Sequence, residues 1–265
     1  MTTKAKLVKR PSSVLLPERD ADKSPVLECV GLGVTFGGLK AVEDFDLTIG
    51  RTEIAGLIGP NGAGKTTVFN LLTKVYQPTA GAILLDGKGN HRLTTAPGNR
   101  AGIARTFQNI RLFNDLTVAE NLMVAMGDSV RYGLAGSILH FPRYAREERI
   151  ARERAEELLS IFHMEGHADE RAGSLPYGAQ RRLEILRALA SNPCLLLLDE
   201  PAAGMNPSET AELMENIRRI RDTFQIAVLL IEHDMDLVMN ICEGICVLNF
   251  GHIIAKGTPE DIQRN

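Results

Sequence analysis

The chain has 265 residues, enough for one large or two small domains with a hydrophobic core that needs neither disulfides nor a metal. Charged residues make up 24%, apolar residues 44%, and the formal net charge is -3, which excludes a strongly basic nucleic-acid-binding domain and a disordered acidic chain. The longest apolar runs, 194–198 and 226–231, fall far below the roughly 18 residues that cross a membrane, so any membrane role is expected to be peripheral.

Strand-like and helical segments alternate along the chain. Residues 1–24 lack the apolar core of a secretion signal, so we expect a flexible N-terminal extension before one domain at 25–265. Several runs rich in leucine and β-branched residues have no polar alternation, which predicts strands buried on both faces of a parallel sheet and an α/β fold. The predicted strands are residues 26–34, 45–49, 53–58, 82–85, 194–198, 226–231, 244–249 and 252–255.

A mostly helical region is predicted between the fourth and fifth of these strands, at about 102–191. Within it, residues 146–162 have helical periodicity, with Glu148 and Arg152 spaced to pair at i,i+4. The segment before that helix, 127–143, is rich in glycine and is predicted to be a loop-like insertion. The apolar face of the predicted helix consists of Ala151, Ala155, Leu158 and Phe162.

The four cysteines, Cys29, Cys194, Cys242 and Cys246, are widely separated or lie in apolar runs. No further cysteine or histidine stands at zinc spacing from the last two. We therefore expect reduced thiols that pack in the core.

A phosphate-binding loop is predicted by "GLIGPNGAGKTTVFNLL", which follows an apolar strand and opens a helical pattern. Glycines let backbone N–H groups converge on phosphate oxygens, and the helix N-terminus adds partial positive charge. In this motif Lys65 reaches the β- and γ-phosphates, and the Thr66 hydroxyl is a ligand for Mg²⁺.

Acidic and histidine side chains follow two further strands. Asp199 and Glu200 end the run "CLLLLDEP", where Asp199 would hold Mg²⁺ and Glu200 would polarise the attacking water; two solvated acids are the alternative. His233 follows the next strand in "AVLLIEHD" and could reach a γ-phosphate, although a lone histidine is more often structural.

Taken in order, "GPNGAGKTT", "RTFQNIRLF", "LPYGAQRRLEILRAL", "LLLLDEPAAGMNP" and "LLIEHDMDLVM" resemble the nucleotide-binding subunit of ATP-binding cassette (ABC) transporters, over nearly all of the chain after residue 25. "FGGLKAVEDF" and "YGAQRRLEI" narrow the resemblance to ATP-binding subunits of branched-chain amino acid importers. The resemblance implies a P-loop NTPase core with a mostly parallel sheet, an N-terminal antiparallel β portion and an inserted helical subdomain.

The resemblance also implies roles for individual residues. Phe36 would stack on adenine, with a buried core phenylalanine as the alternative. Gln108 would touch Mg²⁺ and the attacking water; without the resemblance it would pass as an ordinary polar loop residue. The loop 203–206 would contact the opposite subunit. The residues that would wrap the phosphates are Gly59, Pro60, Asn61, Gly62, Ala63, Gly64, Lys65, Thr66 and Thr67.

The signature segment of the family departs from its usual form here, because Pro176 replaces a serine and offers neither a hydroxyl nor an N–H. A helix beginning near Gly178 would leave the N–H groups of Gly178, Ala179 and Gln180 free to bond the phosphates held by a second subunit. Arg181 and Arg182 follow, and packing, surface ion pairs and catalysis all stay open for them.

The expected function is therefore an ATPase, with ATP and Mg²⁺, that powers an importer from the cytoplasmic face of the membrane. Its expected partners are a second ATP-binding subunit, integral membrane permeases and, indirectly, a solute-binding protein, with no nucleic acid. Alternatives are a soluble non-transport ABC ATPase, an importer ATPase for urea or amides, and a small P-loop kinase. The resemblance further implies a short helical tail beyond "GTPEDIQRN".

Overall fold

The computed structural model of the chain describes residues 25–89, 102–126 and 142–264. The predicted N-terminal extension and most of the predicted insertion, 127–141, lie outside the described residues. The strands are β1 (Pro25–Phe36), β2 (Leu39–Gly50), β3 (Ile54–Ile58), β4 (Ala80–Leu85), β5 (Lys88–Gly89), β6 (Ile103–Arg105), β7 (Leu195–Asp199), β8 (Ala227–Ile231), β9 (Gly244–Asn249) and β10 (His252–Gly257).

The helices occupy the connections between the strands and most of the stretch between β6 and β7. Two short 3₁₀ turns, Glu165–His167 and Ala172–Ser174, join the helices of that stretch. The helices are α1 (Lys65–Leu72), α2 (Val118–Ala125), α3 (Pro142–Ser160), α4 (Tyr177–Leu189), α5 (Pro207–Phe224), α6 (Met235–Ile241) and α7 (Pro259–Gln263).

The strands of the described residues form two sheets. The first is antiparallel in the order β2-β1-β4-β5. The second has the order β10-β9-β3-β8-β7-β6 and is parallel throughout except for the β9–β10 pair. The predicted α/β fold, with its mostly parallel sheet and its antiparallel N-terminal portion, is confirmed.

The second sheet is buried on both faces. Along β7, Leu195 and Leu197 pack in a core shared with the antiparallel sheet and α1, whereas Leu196 and Leu198 pack in a core shared with the helices that follow β6. Each fully buried leucine contributes roughly 1.5–3 kcal/mol by leaving water. The uninterrupted apolar runs in the sequence reflect this two-sided burial.

The region predicted to be mostly helical begins with a strand. Ile103–Arg105 forms β6 at the edge of the parallel sheet, where it pairs with β7. Three residues are too few to show a strand period, which explains why β6 was not predicted. The helical subdomain predicted at about 102–191 thus starts after a segment that belongs to the core sheet.

Helix α3 begins at Pro142, earlier than predicted, so the last two residues of the predicted loop-like insertion are helical. Its predicted apolar face is buried. Arg152 pairs with Glu156 at 3.2 Å and Asp169 at 2.8 Å rather than with the predicted Glu148, because Asp169 approaches from outside the helix. Across the described ranges, none of the helices is long and apolar enough to span a bilayer.

The cysteine thiols pack in the core, and all four are free. Burial raises the pKa of Cys29 and Cys246 to about 12 and that of Cys194 to about 11, and it raises the pKa of Cys242 as well. Because only the thiolate reacts, these thiols are protected by both burial and protonation.

We therefore expect a thiol-specific disulfide reagent at pH 8 to modify less than one thiol per native chain within minutes. A pKa of about 11 leaves roughly one thiolate in a thousand at that pH, against about a quarter for an unperturbed cysteine. Cys194, which is only half-buried, should react first. Denaturation in guanidinium should expose all four thiols; fast labelling of two or more in the native chain would contradict the packing.

Candidate nucleotide and hydrolysis site

The phosphate loop lies between β3 and α1, and the close packing of its backbone requires a glycine at its first position, residue 59. Gly59 has a φ of 149°, and a Cβ at this position would stand 2.0 Å from the carbonyl oxygen of Leu248 on β9. Gly64 caps α1 with a φ of 106°. The loop is thus pressed against the neighbouring strand, and its backbone curves around the start of α1.

Lys65 points back into this loop. Its Nζ donates to the carbonyl oxygens of Gly59 at 2.7 Å and Pro60 at 2.9 Å. Burial lowers the pKa of the Lys65 ammonium, while the nearby carboxylates Glu200 and Asp199 act in the opposite direction. The ammonium is therefore held at the mouth of the loop, where a phosphate would compete with two neutral carbonyls for it.

A cavity of about 650 Å³ opens over the phosphate loop. It brings residues 61–67 of the predicted loop together with Gln108, Glu200 and His233, which come from three other parts of the chain; Gly59 and Pro60 lie outside its lining. Its wall also includes four residues that sequence analysis did not select, two of them apolar and strongly exposed. These four are Leu39, Lys40, Ala41 and Phe250.

Glu200 stands at the centre of the predicted hydrolytic side chains. Its Oε2 accepts a hydrogen bond from Gln108 Nε2 at 2.9 Å, and its Oε1 lies 3.1 Å from His233 Nε2. The backbone of Glu200 has a φ of 49°, in the left-handed region that a side chain rarely adopts. The three side chains predicted to act together do meet, at the carboxyl ends of β7 and β8 and the loop after β6.

Asp199 is buried and bound by a residue that sequence analysis missed. Arg105, the last residue of β6, donates to Asp199 Oδ2 at 2.6 Å and to Asn70 Oδ1 at 2.7 Å. The guanidinium also lies over the rings of Phe69 and Phe107, 5.3 and 5.1 Å from their centroids. Arg105 directly precedes "TFQ", and this position could have marked it as a site residue. An arginine in a short segment does not, however, indicate that its side chain is buried.

The donor set predicted for Mg²⁺ fits that ion chemically. Thr66 and Gln108 line the cavity, whereas Asp199, at the end of β7, lies outside its lining with one carboxylate oxygen bonded to Arg105. Together the three residues offer hydroxyl, amide and carboxylate oxygens. Among the described residues, no three His, Cys, Asp or Glu side chains gather as a metal site. Mg²⁺ is usually bound through one or two carboxylates together with the phosphates of a substrate.

Phe36 is not a core residue. Its side chain is 42% exposed at the end of β1, and its ring meets that of Tyr76 edge to face, with centroids 5.0 Å apart. The alternative of a buried core phenylalanine is therefore wrong. The ring is available to a flat ligand, although it lies outside the residues that line the cavity itself.

The signature helix, α4, begins one residue earlier than predicted. Pro176 is its N-cap, so Tyr177, Gly178 and Ala179 hold the first three positions, whose N–H groups have no intrahelical acceptor. The N–H of Gln180 already bonds the Pro176 carbonyl at 3.0 Å, which makes its prediction as a free donor wrong. Proline adopts the required φ of -55° and supplies that carbonyl, so it can cap the helix.

The two arginines after the signature have different environments. Arg182 is partly exposed and pairs with Glu212 at 3.3 Å, as a surface residue would. Arg181 is fully buried, and its guanidinium donates a hydrogen bond to the Asp199 carbonyl at the end of β7. Nothing in the amphipathic pattern of α4 distinguished the two.

The loop 203–206 is attached to the site from two sides. Glu232, buried at the end of β8, accepts the N–H of Ala202 at 2.8 Å, and its burial raises the pKa of this carboxyl. At the other end, Asn206 caps α5 in a reciprocal pair of hydrogen bonds with Glu209. The ring of Tyr177 packs directly over Gly204. The loop is thereby joined to both the signature helix and the strand that carries His233.

Known proteins share both this sequence and this fold. The chain is 47% identical over 241 residues to the high-affinity branched-chain amino acid transport ATP-binding protein BraF of Pseudomonas aeruginosa, covering 91% of this chain and 94% of that protein. It is 48% identical over 244 residues to LivG of Escherichia coli K12, a protein with the same description, with the same shares covered.

A solved structure supports the same assignment. The ADP conformation of an ATP-binding cassette of an ABC transporter superposes with a TM-score of 0.79 at 28% identity, covering 91% of this chain and 94% of that one. The family model for ABC transporters matches residues 42–203, which include the phosphate loop, the signature segment and Glu200. The chain therefore belongs to the ABC transporter family.

Proposed function

We propose that this chain is the ATP-hydrolysing subunit of an importer for branched-chain amino acids. The observation that carries the ATPase part is the single cavity in which Glu200, Gln108 and His233 face the phosphate loop. The solute is inferred from BraF and LivG, which are described as branched-chain amino acid transport proteins. Related solutes, such as urea or amides, are the second candidate.

ATP would bind with its phosphates in the loop of residues 59–67. Lys65 would exchange its bonds to the Gly59 and Pro60 carbonyls for phosphate oxygens, and Phe36 would stack on adenine. Mg²⁺ would be held by Thr66, Asp199 and Gln108. When bound, the metal neutralises charge that develops on the phosphates during transfer.

Hydrolysis would centre on Glu200. Its carboxylate polarises a water, while Gln108, hydrogen-bonded to one carboxylate oxygen, and His233, 3.1 Å from the other, fix the carboxylate and orient the water. His233 has an exposed side chain and can reach outward to the γ-phosphate. Glu200 is thus held from two sides, and a carboxylate held in a fixed orientation places the attacking water at a lower cost in entropy.

Two such chains would close on two nucleotides. The free N–H groups of Gly178 and Ala179 at the start of α4 would bond phosphate held by the partner, without the serine hydroxyl that Pro176 replaces. Moving an open-closed equilibrium from 1:99 to 99:1 takes about 5.5 kcal/mol of differential binding. Loss of the γ-phosphate would reopen the pair and transmit that change to the permeases.

The proposed partners are a second ATP-binding subunit, integral membrane permeases and, through them, a solute-binding protein. The chain would act at the cytoplasmic face of the membrane as a peripheral subunit. A non-transport ABC ATPase remains the other class of function. Co-purification with an integral membrane protein distinguishes the two.

Uptake by a host strain that lacks this gene tests the solute. We expect uptake of labelled leucine to fall at least tenfold, and a plasmid copy to restore it. A copy carrying Lys65→Ala is the matched control and should not restore uptake, because phosphate binding is lost. Loss of urea or amide uptake with leucine unaffected would identify the other solute class. Unchanged uptake of every solute would contradict a transport role.

Replacing the proposed base, Glu200→Gln, should lower the turnover number at least a hundredfold, since an amide cannot polarise water as a carboxylate does. ATP-dependent dimers should accumulate, because the nucleotide that joins them is no longer cleaved. Phosphate release and light scattering measure the two effects. Turnover close to that of the unmodified chain would refute the assignment of Glu200.

Placing a charge in the signature segment, Gly178→Asp, should abolish hydrolysis but leave ATP binding to the monomer intact, since this segment acts on the partner's nucleotide. Gly178→Ala is the control for size: a Cβ there would lie 3.4 Å from Glu209 Oε1, an ordinary contact, so the fold should tolerate it. Fluorescent ATP titration and phosphate release are the measurements. Weakened monomer binding in Gly178→Asp would contradict action in trans.

A further inference from the structure

Arg181 is a fully buried cation one turn into α4. Its side chain has no exposed area, and that of its ion-pair partner Glu184 is 2% exposed, with Arg181 Nη1 2.6 Å from Glu184 Oε2. A buried ion pair is costly to desolvate and is weak evidence for stability by itself. Stability alone therefore does not explain why this ion pair is buried here.

The remaining contacts of the pair go to the backbone of the hydrolysis site. Arg181 Nη2 donates to the carbonyl oxygens of Asp199 at 2.5 Å and Glu200 at 2.8 Å. Arg181 Nη1 also donates to the Phe107 carbonyl, and Glu184 Oε1 accepts the Phe107 N–H at 3.2 Å. One ion pair thus binds the residue before Gln108 and both carbonyls at the end of β7.

These bonds fall where the backbone is strained. Glu200 adopts a left-handed φ of 49°, and a residue in such a conformation persists only when its surroundings over-determine it. The N–H of Glu200 bonds Ile231 of β8 at 2.9 Å, and its carbonyl bonds Arg181. Both sides of the strained residue are therefore fixed by hydrogen bonds.

We propose that Arg181 is a positioning residue for hydrolysis, held by Glu184, that aims the Glu200 carboxylate and sets its distance from Gln108. This inference rests on the proposed ATPase function. Because Arg181 lies on the helix whose first residues would meet the partner's nucleotide, it also makes a direct link between the two nucleotide sites of a dimer. The forked, planar guanidinium suits three carbonyls and a carboxylate, whereas a lysine ammonium is a single point of charge.

Arg181→Lys tests the proposal, because it keeps the buried charge but cannot span the same acceptors. We expect kcat to fall about 10- to 100-fold, the scale of a small misplacement of catalytic groups. The KM for ATP and the affinity of the monomer for a fluorescent ATP analogue should stay within twofold. Arg221→Lys is the matched control, since Arg221 pairs with Asp222 and Glu243 rather than with a site residue, and its kcat should not change.

A double-substitution cycle separates positioning from stability. If Arg181 acts through Glu200, Arg181→Lys should cause no further loss of single-turnover hydrolysis in the Glu200→Gln background. Multiplied losses, or an unchanged kcat in Arg181→Lys alone, would overturn the proposal. Should Arg181→Lys not fold, the neutral pair Arg181→Gln with Glu184→Gln replaces it with the same expectations. An unmodified chain without ATPase activity would instead refute the proposed function.

Discussion

The hydrolysis site depends on the shared direction of strands β3, β7 and β8. Parallel neighbours end at the same edge of a sheet, so the chain that leaves each strand enters the same space. The phosphate loop leaves β3, Asp199 ends β7 with Glu200 directly after it, and His233 follows β8. Burial of these strands on both faces fixes their register and so fixes the distances between the groups.

Around that edge, hydrogen bonds from buried side chains connect the sheet to the parts that lie outside it. Arg105 fixes the Asp199 carboxylate, Arg181 fixes the carbonyls of Asp199 and Glu200, and Glu232 fixes the loop that follows. All three have ionisable side chains that are buried. Such groups are tolerated because each meets complementary partners, and together they join the sheet, the signature helix and the loop 203–206.

Features with a local cause could be predicted from the sequence, whereas features with a distant cause could not. The phosphate loop was predictable because its glycines recur at the spacing that a phosphate-binding backbone needs. Strand β7 was predictable because an uninterrupted run of leucines is typical of a strand buried on both faces. The role of Arg181 was not predictable, because an arginine on an amphipathic helix does not indicate that carbonyl groups from distant parts of the chain surround it. The error at Gln180 arose because a proline cap shifts a helix start by one residue without altering the apolar pattern.

The alternation of β7 side chains between two cores restricts how the molecule can move. A slip of one residue along the strand would exchange Leu195 and Leu197 with Leu196 and Leu198, turning every side chain to the wrong layer. The strand that carries Asp199 and Glu200 therefore acts as a fixed axis. Because Arg181 of α4 bonds the carbonyls of Asp199 and Glu200, the start of the signature helix is held to this axis.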